Sequence, residues 1–313
     1  MKKPDFFIVG EPKSGTTALY TYLKQHPDIF MPKIKEPYYF CKDFHKESDE
    51  YNKKMKYFFR KSFPFRTDEQ YLKLFKSWKE QKISGEASVT YLYSKIAAKE
   101  IHLFNPDAKI IMILRNPVDF LHSLHSRFFV TRNETETFEN ALAAEEERKK
   151  GRAIPKIAYL PPSYFNYSEW TKYAEHIQRY YDLFDKKQIK IIIFDDFKTN
   201  TQEVYEEVLE FLDVDPNFKP TFEIVNENRK LIPIFRPIVD FIRQYNVFKA
   251  IMPRNAYYKL SRAFYKTIVT KQPRQPMNSE LRQRLMKEYK PEVEKLSKLI
   301  NRDLITLWGY NTI

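Results

Sequence analysis

The sequence predicts a three-layer α/β/α fold with helices on both faces of a central parallel sheet. Short apolar runs of strand length, at 6–10, 109–114 and 189–194, alternate with longer stretches of helical periodicity. Continuous apolar runs of this length are typical of buried parallel strands, and their alternation with helices predicts βαβ units. A further short strand is expected at 82–86. Because no Gly/Ser-rich linker interrupts the pattern, we expect one domain over 1–313.

The turn after the first strand is the most informative segment. An apolar run from Phe6 to Val9 stops at Gly10, and a helix-compatible run begins at Thr16. Gly10 and Gly15, two of only five glycines in the chain, frame this turn. Free backbone N–H groups and the helix dipole favour negative charge at a helix N-terminus. The sequence therefore predicts an anion site here.

The loop keeps the glycine spacing of the Walker A motif GxxxxGK[ST] but not its lysine. Thr16 stands at the lysine position, and Lys13 lies inside the loop instead. A Walker lysine reaches the β- and γ-phosphates, and the following hydroxyl binds Mg²⁺. Because Lys13 lies upstream of the Walker lysine position, we expect the loop to bind a shorter anion and to need no metal.

Residues 12–17, PKSGTT, resemble the 5′-phosphosulfate loop of the sulfotransferases that use 3′-phosphoadenosine 5′-phosphosulfate (PAPS). The resemblance implies the P-loop NTPase-like sulfotransferase fold, with PAPS as co-substrate and no metal required. It also implies that Lys13 stabilises the leaving phosphate. The donor-binding residues implied in this loop are Lys13, Ser14, Gly15, Thr16 and Thr17.

A second segment resembles the 3′-phosphate motif of the same family. Arg115 follows the strand 109–114, Asn116-Pro117 can start a helix, and Ser123 lies eight residues after the arginine. A guanidinium can bind a phosphate through two parallel hydrogen bonds, and a serine hydroxyl can complete the site. The resemblance implies that Arg115 and Ser123 bind the donor.

Further segments resemble the heparan-sulfate-type and bacterial branches of the family. KEPYYF (35–40) resembles the segment that carries the catalytic glutamate, here Glu36. SGEASVTYLYS (84–94) resembles the EKSPxYF element, but Ala87 stands where several relatives have a lysine. The helix–strand unit that begins at Tyr173 resembles the unit whose leading tyrosine meets the adenine.

Three alternatives to Glu36 as the general base stay open. Glu86 could be the base instead, or it could be a structural carboxylate that forms hydrogen bonds near the loop. His122 and His125 lie three residues apart on the helix that begins at Pro117, and no third zinc ligand is apparent. Aromatic neighbours and a proline would raise the pKa of Glu36 by desolvation, and Lys35 would lower it.

The sequence leaves the acceptor and the end of the donor site less defined. The segments 41–80 and 216–275 are expected to be insertions that shape or cover the acceptor site. Arg229, Lys230 and Arg274 are candidates for the basic residue that completes the 3′-phosphate site. The family resemblance favours a hydroxyl, or less readily an amine, on a carbohydrate or small metabolite.

Composition limits the other function classes. The net charge is +13, with basic and acidic residues interspersed in segments such as 145–150 and 42–56, which does not favour nucleic acid as a partner. Cys41 is the single cysteine, and no apolar run is long enough to span a membrane. We expect no signal peptide and a cytoplasmic enzyme. The alternatives are a P-loop kinase or NTPase, for which Asp195-Asp196 is a poor Walker B candidate, and a nucleic-acid-binding module.

Helical patterns complete the predicted architecture. Trp308 is expected to pack the chain end on the core. One helix after the strand 189–194 is expected to be capped by Thr199 or Asn200, and the C-terminal helix by Ser279. The predicted helices span 16–25, 93–104, 139–150 (charged and exposed), 168–184 and 279–300.

Overall fold

The structure is a computed structural model with a five-stranded parallel sheet at its centre. It describes residues 2–54, 63–155, 158, 160–223, 229–245, 260, 263–264, 267–271 and 275–313. The strands are β1 (Phe6–Gly10), β2 (Ile29–Phe30), β3 (Ile83–Ala87), β4 (Lys109–Leu114) and β5 (Ile189–Ile193). Their order in the sheet is β2-β3-β1-β4-β5. A separate antiparallel pair consists of β6 (Arg229–Leu231) and β7 (Val269–Lys271).

Helices cover both faces of the central sheet, as the sequence predicts. The α-helices are α1 (Thr16–Leu23), α2 (Lys42–Lys54), α3 (Asp68–Leu72), α4 (Ala97–Phe104), α5 (Pro117–Val130), α6 (Phe138–Ala143), α7 (Glu145–Lys149), α8 (Tyr167–Trp170), α9 (Tyr173–Tyr181), α10 (Phe194–Thr199), α11 (Thr201–Phe211), α12 (Arg236–Tyr245), α13 (Ser279–Ile300) and α14 (Leu304–Leu307). Short 3₁₀ turns lie at Lys73–Phe75, Pro162–Phe165, Lys186–Gln188, Pro233–Phe235 and Tyr310–Thr312. The three-layer α/β/α prediction is confirmed.

Strand β1 divides the hydrophobic core into two parts. Phe7 and Val9 belong to a larger cluster to which α4, α5, α9 and α13 contribute. Phe6 and Ile8 belong to a second cluster with residues of α1 and α11. All four side chains are fully buried. Side chains alternate between the two faces of a strand, so an unbroken apolar run is what a doubly covered strand requires.

The connections around β1 and β4 place a crevice between them. The chain leaves β1 through α1 toward β2 at one edge of the sheet, and it leaves β4 through α5 toward β5 at the other. The two strands pair in parallel. The carboxyl ends of such strands form a topological switch point, where ligands of open α/β sheets bind.

Several predicted boundaries shift in the structure. Strand β4 and helix α13 match their predicted ranges, but the N-cap of α13 is Asn278, whose side chain accepts from Glu280 N at 2.8 Å, and not Ser279. The helix predicted at 93–104 begins only at Ala97, because turns occupy 89–93. Asn200, one of the two predicted N-cap residues, directly precedes α11, although its side chain accepts no capping hydrogen bond there.

Two predicted helices are interrupted. The pattern at 168–184 divides into α8 and α9, and the pattern at 139–150 divides into α6 and α7. The prediction that 139–150 is simply exposed is wrong, because Arg148 is 2% exposed and pairs with Glu134, Nη1 to Oε2 at 2.6 Å. Alternating charges resemble a solvated face in the sequence, and only the tertiary structure supplies the distant partner.

The expected insertions are partly described. Residues 41–80 contain α2 and α3, and 216–275 contain β6, α12 and β7, while parts of both lie outside the described residues. Trp308 is 7% exposed and its indole Nε1 donates to Asp195 Oδ2 at 3.0 Å, so it packs the chain end on the core as predicted. A single domain over 1–313 stays a prediction.

We predict that Arg148→Met lowers the free energy of unfolding by about 3–5 kcal/mol, because it leaves the buried Glu134 carboxylate without its charge partner. Tyr167 also donates to Glu134, at 3.0 Å, but a neutral hydroxyl does not replace the charge. Denaturant unfolding measures the loss. The matched control is Arg152→Met, whose exposed ion pair with Glu147 is worth about 0–1 kcal/mol. Equal losses in the two variants would contradict the prediction.

Candidate active site

The loop between β1 and α1 has the geometry of an anion-binding turn. Gly15 has φ 90° and precedes α1, and Lys13 has φ 66°. A Cβ on Gly15 would lie 3.0 Å from the ring of Phe197, so both backbone conformation and space favour glycine. No side chain caps α1. The first N–H groups of the helix are therefore directed at the loop without a side-chain acceptor.

Arg115 joins this loop to the end of β4. Its Nη1 donates to the backbone oxygen of Lys13 at 3.1 Å, and its guanidinium lies 4.7 Å from the centre of the Phe194 ring. Burial lowers the pKa of Arg115 from its ordinary value. The two segments that the sequence analysis assigns to the two ends of the donor are therefore in direct contact across the β1–β4 crevice.

Three buried polar side chains at the loop have no hydrogen-bond partner among the described residues. They are Glu11, Ser14 and Tyr173, at 0%, 0% and 1% exposure. Charge on Glu11 acts on Tyr173, which places the two groups close together. Buried polar groups are nearly always paired in native proteins, so orphaned ones indicate a ligand or another function. Ser14 and Tyr173 were predicted site residues, whereas Glu11 was not.

Glu11 follows β1 directly, and among the described residues no cation is found to lower its pKa. Burial raises the pKa of this carboxyl well above its ordinary value. The only sequence feature that points to Glu11 is weak, namely a charged residue at the end of an apolar strand. Its burial depends on contacts that only the folded chain makes.

Arg282 on α13 is a basic residue that sequence reasoning missed. It binds the carboxylate of Asp119 on α5, with Nη1 to Oδ1 at 2.6 Å and Nη2 to Oδ2 at 3.3 Å. Its charge contributes to the lowered pKa of Arg115, behind the larger effect of burial. The described candidates Arg229 and Lys230 lie on β6. Arg282 and Asp119 are 163 residues apart in the chain, so no local sequence pattern indicates their contact.

The remaining predicted donor residues lie on α1 and α5, the helices that follow β1 and β4, and Arg274 lies outside the described residues. Thr16 is buried and Thr17 is half-buried in the first turn of α1. Ser123 is 1% exposed on α5, eight residues after Arg115.

Glu36 is held in a polar network at the edge of this region. Its Oε1 accepts from Lys35 Nζ at 2.7 Å, and its Oε2 accepts from the Tyr38 hydroxyl. Its side chain is 34% exposed. Burial raises the pKa of Glu36, but Lys35, Tyr38 and, more weakly, Arg127 outweigh it and hold the pKa below its ordinary value. Glu36 is therefore ionised at neutral pH.

Backbone hydrogen bonds fix the Glu36 loop to the end of the sheet. Glu36 N donates to Ala87 O at 2.9 Å, and Tyr38 N donates to Ser88 Oγ at 3.0 Å. Ser88 N in turn donates to Ile8 O at 3.1 Å. The Glu36 loop is thus connected through the end of β3 to β1, the strand that leads into the Lys13 loop.

Glu86 lies deeper, among tyrosines. It is 1% exposed, and its Oε2 accepts from the hydroxyls of Tyr91 at 2.7 Å and Tyr71 at 3.4 Å. Burial raises its pKa to about 7, against the hydrogen bonds from Tyr91, Ser88 and Tyr71. These contacts favour the structural role that the sequence analysis left open for Glu86.

The two histidines on α5 lie against α6. Both rings approach Phe138, at 5.3 Å for His122 and 5.2 Å for His125. His125 Nε2 contacts the backbone oxygen of Glu136 at 2.9 Å, and burial lowers the pKa of His125. In the part of the chain that the structure describes, no group of three His, Cys, Asp or Glu side chains could hold a metal ion.

The carboxylates weighed as Walker B candidates are engaged elsewhere. Asp195 accepts from the indole of Trp308, and Asp196 pairs with Arg302 at 2.7 Å. Both lie in the first turn of α10 and contact the C-terminal segment. Their described contacts are those of structural groups.

Comparisons with known proteins identify the family. The model of the sulfotransferase domain matches residues 3–299. The chain belongs to the sulfotransferase family. This confirms the family prediction.

Relatives of the expected branches are among the matches. A sulfotransferase from Alicyclobacillus acidocaldarius superposes with a TM-score of 0.70 and 28% identity, over 98% of this chain and 99% of that one. Human carbohydrate sulfotransferase 15 is 27% identical over 68% of this chain and 44% of its own length. Human bifunctional heparan sulfate N-deacetylase/N-sulfotransferase 3 is 28% identical over 72% of this chain and 24% of its own length. The chain thus spans less than half of these two curated relatives.

A search for membrane-spanning segments found none: no helix among the described residues combines the necessary length and apolarity.

We predict that Glu11→Gln raises the melting temperature at pH 7 to 8. The folded carboxyl has a raised pKa, so folding takes up a proton above the unfolded pKa of 4.5. Wild-type stability then falls as pH rises, by up to about 1.4 kcal/mol per pH unit. Glutamine has no such dependence. Thermal unfolding from pH 4 to 8 should show a gap between the proteins that closes at low pH, and a gap independent of pH would contradict the prediction.

Proposed function

We propose that this protein transfers a sulfuryl group from PAPS to a hydroxyl group of a carbohydrate. The observation that carries the proposal is the hydrogen bond from Arg115 to the backbone of Lys13. It sets a phosphate-binding guanidinium beside the helix N-terminus of a 5′-phosphosulfate loop, the two sites that a 3′,5′-substituted nucleotide needs. Family membership over residues 3–299 supports the same donor.

The residues present fit this donor. The N–H groups of the first turn of α1 and the Lys13 ammonium are suited to the 5′-phosphosulfate, and Ser14 adds an orphaned buried hydroxyl. Arg115, with Ser123 and Arg282 on the helices beside it, is suited to the 3′-phosphate. Tyr173, whose hydroxyl is also orphaned, stays the predicted neighbour of the adenine.

The chemistry follows from the charges. The acceptor oxygen forms a bond to sulfur as the bond from sulfur to the bridging phosphate oxygen breaks. Negative charge develops on that leaving oxygen, where Lys13 and the loop N–H groups stabilise it. The acceptor hydroxyl gives its proton to a base.

Glu36 is the base that we favour. Its carboxylate is ionised at neutral pH and can accept a proton, while Lys35 and Tyr38 lower its pKa and with it its basicity. It is 34% exposed, so an acceptor can reach it, whereas Glu86 is 1% exposed. Lys35 and Tyr38 orient its two oxygens. We retain Glu86 as a structural carboxylate.

The proposed acceptor class follows the relatives and the charge near the base. The matched human proteins are named for carbohydrate and heparan sulfate. Lys35 and Arg127 place positive charge around Glu36, which suits an acidic or strongly hydrated sugar. An amine or a small metabolite is the less favoured acceptor. A cytoplasmic location stays a prediction.

We predict that 3′-phosphoadenosine 5′-phosphate binds without metal and that Arg115→Lys weakens it. A lysine cannot reproduce the paired hydrogen bonds, and a lost charge-assisted hydrogen bond costs about 1.5–3 kcal/mol, roughly 10- to 150-fold in Kd. Isothermal titration calorimetry measures the change. The matched control, Arg152→Lys, alters an arginine that is 61% exposed and should leave Kd unchanged. Tighter binding of ATP–Mg²⁺ than of 3′-phosphoadenosine 5′-phosphate would instead indicate a kinase or NTPase. Binding to oligonucleotides alone would indicate a nucleic-acid-binding module.

We predict that Glu36→Gln keeps the nucleotide affinity but lowers kcat by about 10²–10⁴-fold, because the amide cannot accept the acceptor proton. Sulfate transfer from labelled PAPS to a panel of glycans, alcohols, phenols and amines measures the rate. Glu50→Gln changes an exposed glutamate on α2 and serves as the control. Near-full activity of Glu36→Gln with the true acceptor would rule out this base.

A further inference from the structure

Lys35 acts on two carboxyl groups that differ in their access to solvent. Its Nζ lies 2.7 Å from Glu36 Oε1. Its charge also acts on the buried Glu86, but behind burial and the hydrogen bonds from neighbouring hydroxyl groups. The side chain of Lys35 is 15% exposed, against 34% for Glu36. Lys35 is therefore largely removed from solvent, and its close partner is the carboxylate that we favour as the base.

The backbone of this loop has a conformation that brings neighbouring side chains together. Glu36 has φ 63° and Tyr38 has φ 56°, in the left-handed region that residues with a Cβ seldom adopt. Such residues persist where surrounding contacts hold them, and they cluster at active sites. Here the contacts are the hydrogen bonds from Glu36 N to Ala87 O and from Tyr38 N to Ser88 Oγ. The loop thus holds Lys35 and Tyr38 on one carboxylate.

The cation weakens Glu36 as a base. Burial raises the pKa of Glu36, and Lys35 contributes most to holding it below its ordinary value, ahead of Tyr38 and of Arg127 on α5. The charge of Glu36 also acts on Tyr164, in the 3₁₀ turn before α8. A general base is most effective when its pKa lies near the operating pH, so this pairing is unfavourable for proton abstraction alone. It indicates a further role for the ammonium in the reaction.

Proton transfer to Glu36 would leave the ammonium of Lys35 without its anionic partner. The carboxylate becomes neutral when it takes the acceptor proton, while Lys35 keeps its charge. A largely buried charge is unfavourable unless it is paired. An acceptor oxygen at hydrogen-bond distance from Glu36 Oε1 lies within about 6 Å of Lys35 Nζ. The sulfuryl group that joins this oxygen is therefore the nearest new anion, and the flexible lysine side chain can turn toward it.

We propose that the Lys35 ammonium is a catalytic group that pairs with Glu36 before the reaction and binds the sulfuryl oxygens as they reach the acceptor. The acceptor oxygen forms its bond to sulfur, the bond from sulfur to the bridging phosphate oxygen breaks, and that oxygen leaves with the electron pair. The acceptor proton goes to Glu36, and Lys35 keeps all of its protons. Lys13 stabilises the leaving oxygen, and Lys35 stabilises the transferred group. The inference rests on the proposed sulfuryl transfer with Glu36 as the base.

The variants Lys35→Met and Lys35→Arg test this role, with labelled PAPS and an acceptor on which the wild type is active. Lys35→Met should lower kcat by about 10²–10³-fold, the usual loss when one preorganised electrostatic group is removed. Lys35→Arg keeps a cation at the site and should recover much of that loss. The matched control is Lys33→Met, which changes an exposed lysine two residues upstream in the same loop and should keep the wild-type kcat.

The pH dependence separates a catalytic role from a structural one. The ionised carboxylate is the active base, and removal of the cation raises the pKa of Glu36. The acid limb of kcat/KM, which reports the free enzyme, should therefore move to higher pH in Lys35→Met. It should stay in place in Lys35→Arg and Lys33→Met. Carboxyl ¹³C NMR without donor or acceptor measures the same pKa directly, and Glu36→Gln identifies the Glu36 signal.

Nucleotide affinity distinguishes the possible failures. Calorimetry with 3′-phosphoadenosine 5′-phosphate should give the same Kd for wild type and Lys35→Met, because this nucleotide lacks the transferred group. No sulfate transfer by the wild type would overturn the proposed function, and this inference with it. If the wild type transfers sulfate, an unchanged kcat or an unmoved pKa of Glu36 in Lys35→Met would overturn the role of Lys35 alone. So would an equal loss in Lys33→Met, or a loss of nucleotide affinity that matches the loss of kcat.

Discussion

The parallel pairing of β1 with β4 is the constraint on which the rest of this structure depends. The two strands are about a hundred residues apart in the chain, and their pairing brings their carboxyl ends together. The chain leaves β1 toward one edge of the sheet and leaves β4 toward the other. Lys13 follows one strand and Arg115 follows the other, and a single hydrogen bond joins their segments. The loop after β1 with α1, and the segment after β4 with α5, supply most of the proposed donor site, and Tyr173 and Arg282 approach it from α9 and α13.

The acidic groups near the crevice show how environment separates identical side chains. Glu36 is ionised because Lys35 and Tyr38 outweigh burial, whereas burial raises the pKa of Glu11 well above its ordinary value. Glu86, with a pKa of about 7, lies among tyrosines that donate to it. Of these three carboxyl groups, only that of Glu36 combines a negative charge with access to solvent. Residue type therefore identifies the candidates, and desolvation against local charge decides between their roles.

The acceptor side differs in character from the donor side. The proposed donor loop is tied to β4 and the segment after it by two hydrogen bonds, from Glu11 N to Ile113 O and from Arg115 Nη1 to Lys13 O. We expect the Glu36 loop, α5 and α12 to form the acceptor side. Arg127 on α5 places positive charge at Glu36, and Ile238 and Phe241 on α12 are exposed. Arg132 and Asp240 connect these elements by an ion pair across more than a hundred residues of sequence. Variation in this region can change the acceptor without disturbing the donor site.

The sequence alone determined four of the five strands of the central sheet and the loops after β1 and β4, because an apolar run of strand length, a glycine-framed turn and an Asn-Pro helix start are all local features. Strand β4, the start of α1 at Thr16 and the candidates Lys13 and Arg115 could be predicted on that basis, whereas Glu36 was predicted by family resemblance. The tertiary structure alone decided which distant groups meet. The partner of Arg148, the approach of Arg282 to Arg115, the burial of Glu11 and the exposure of Ile238 and Phe241 on α12 depend on long-range packing. Local propensity describes what a segment favours, but desolvation and charge pairing are set by neighbours that the chain acquires only when it folds.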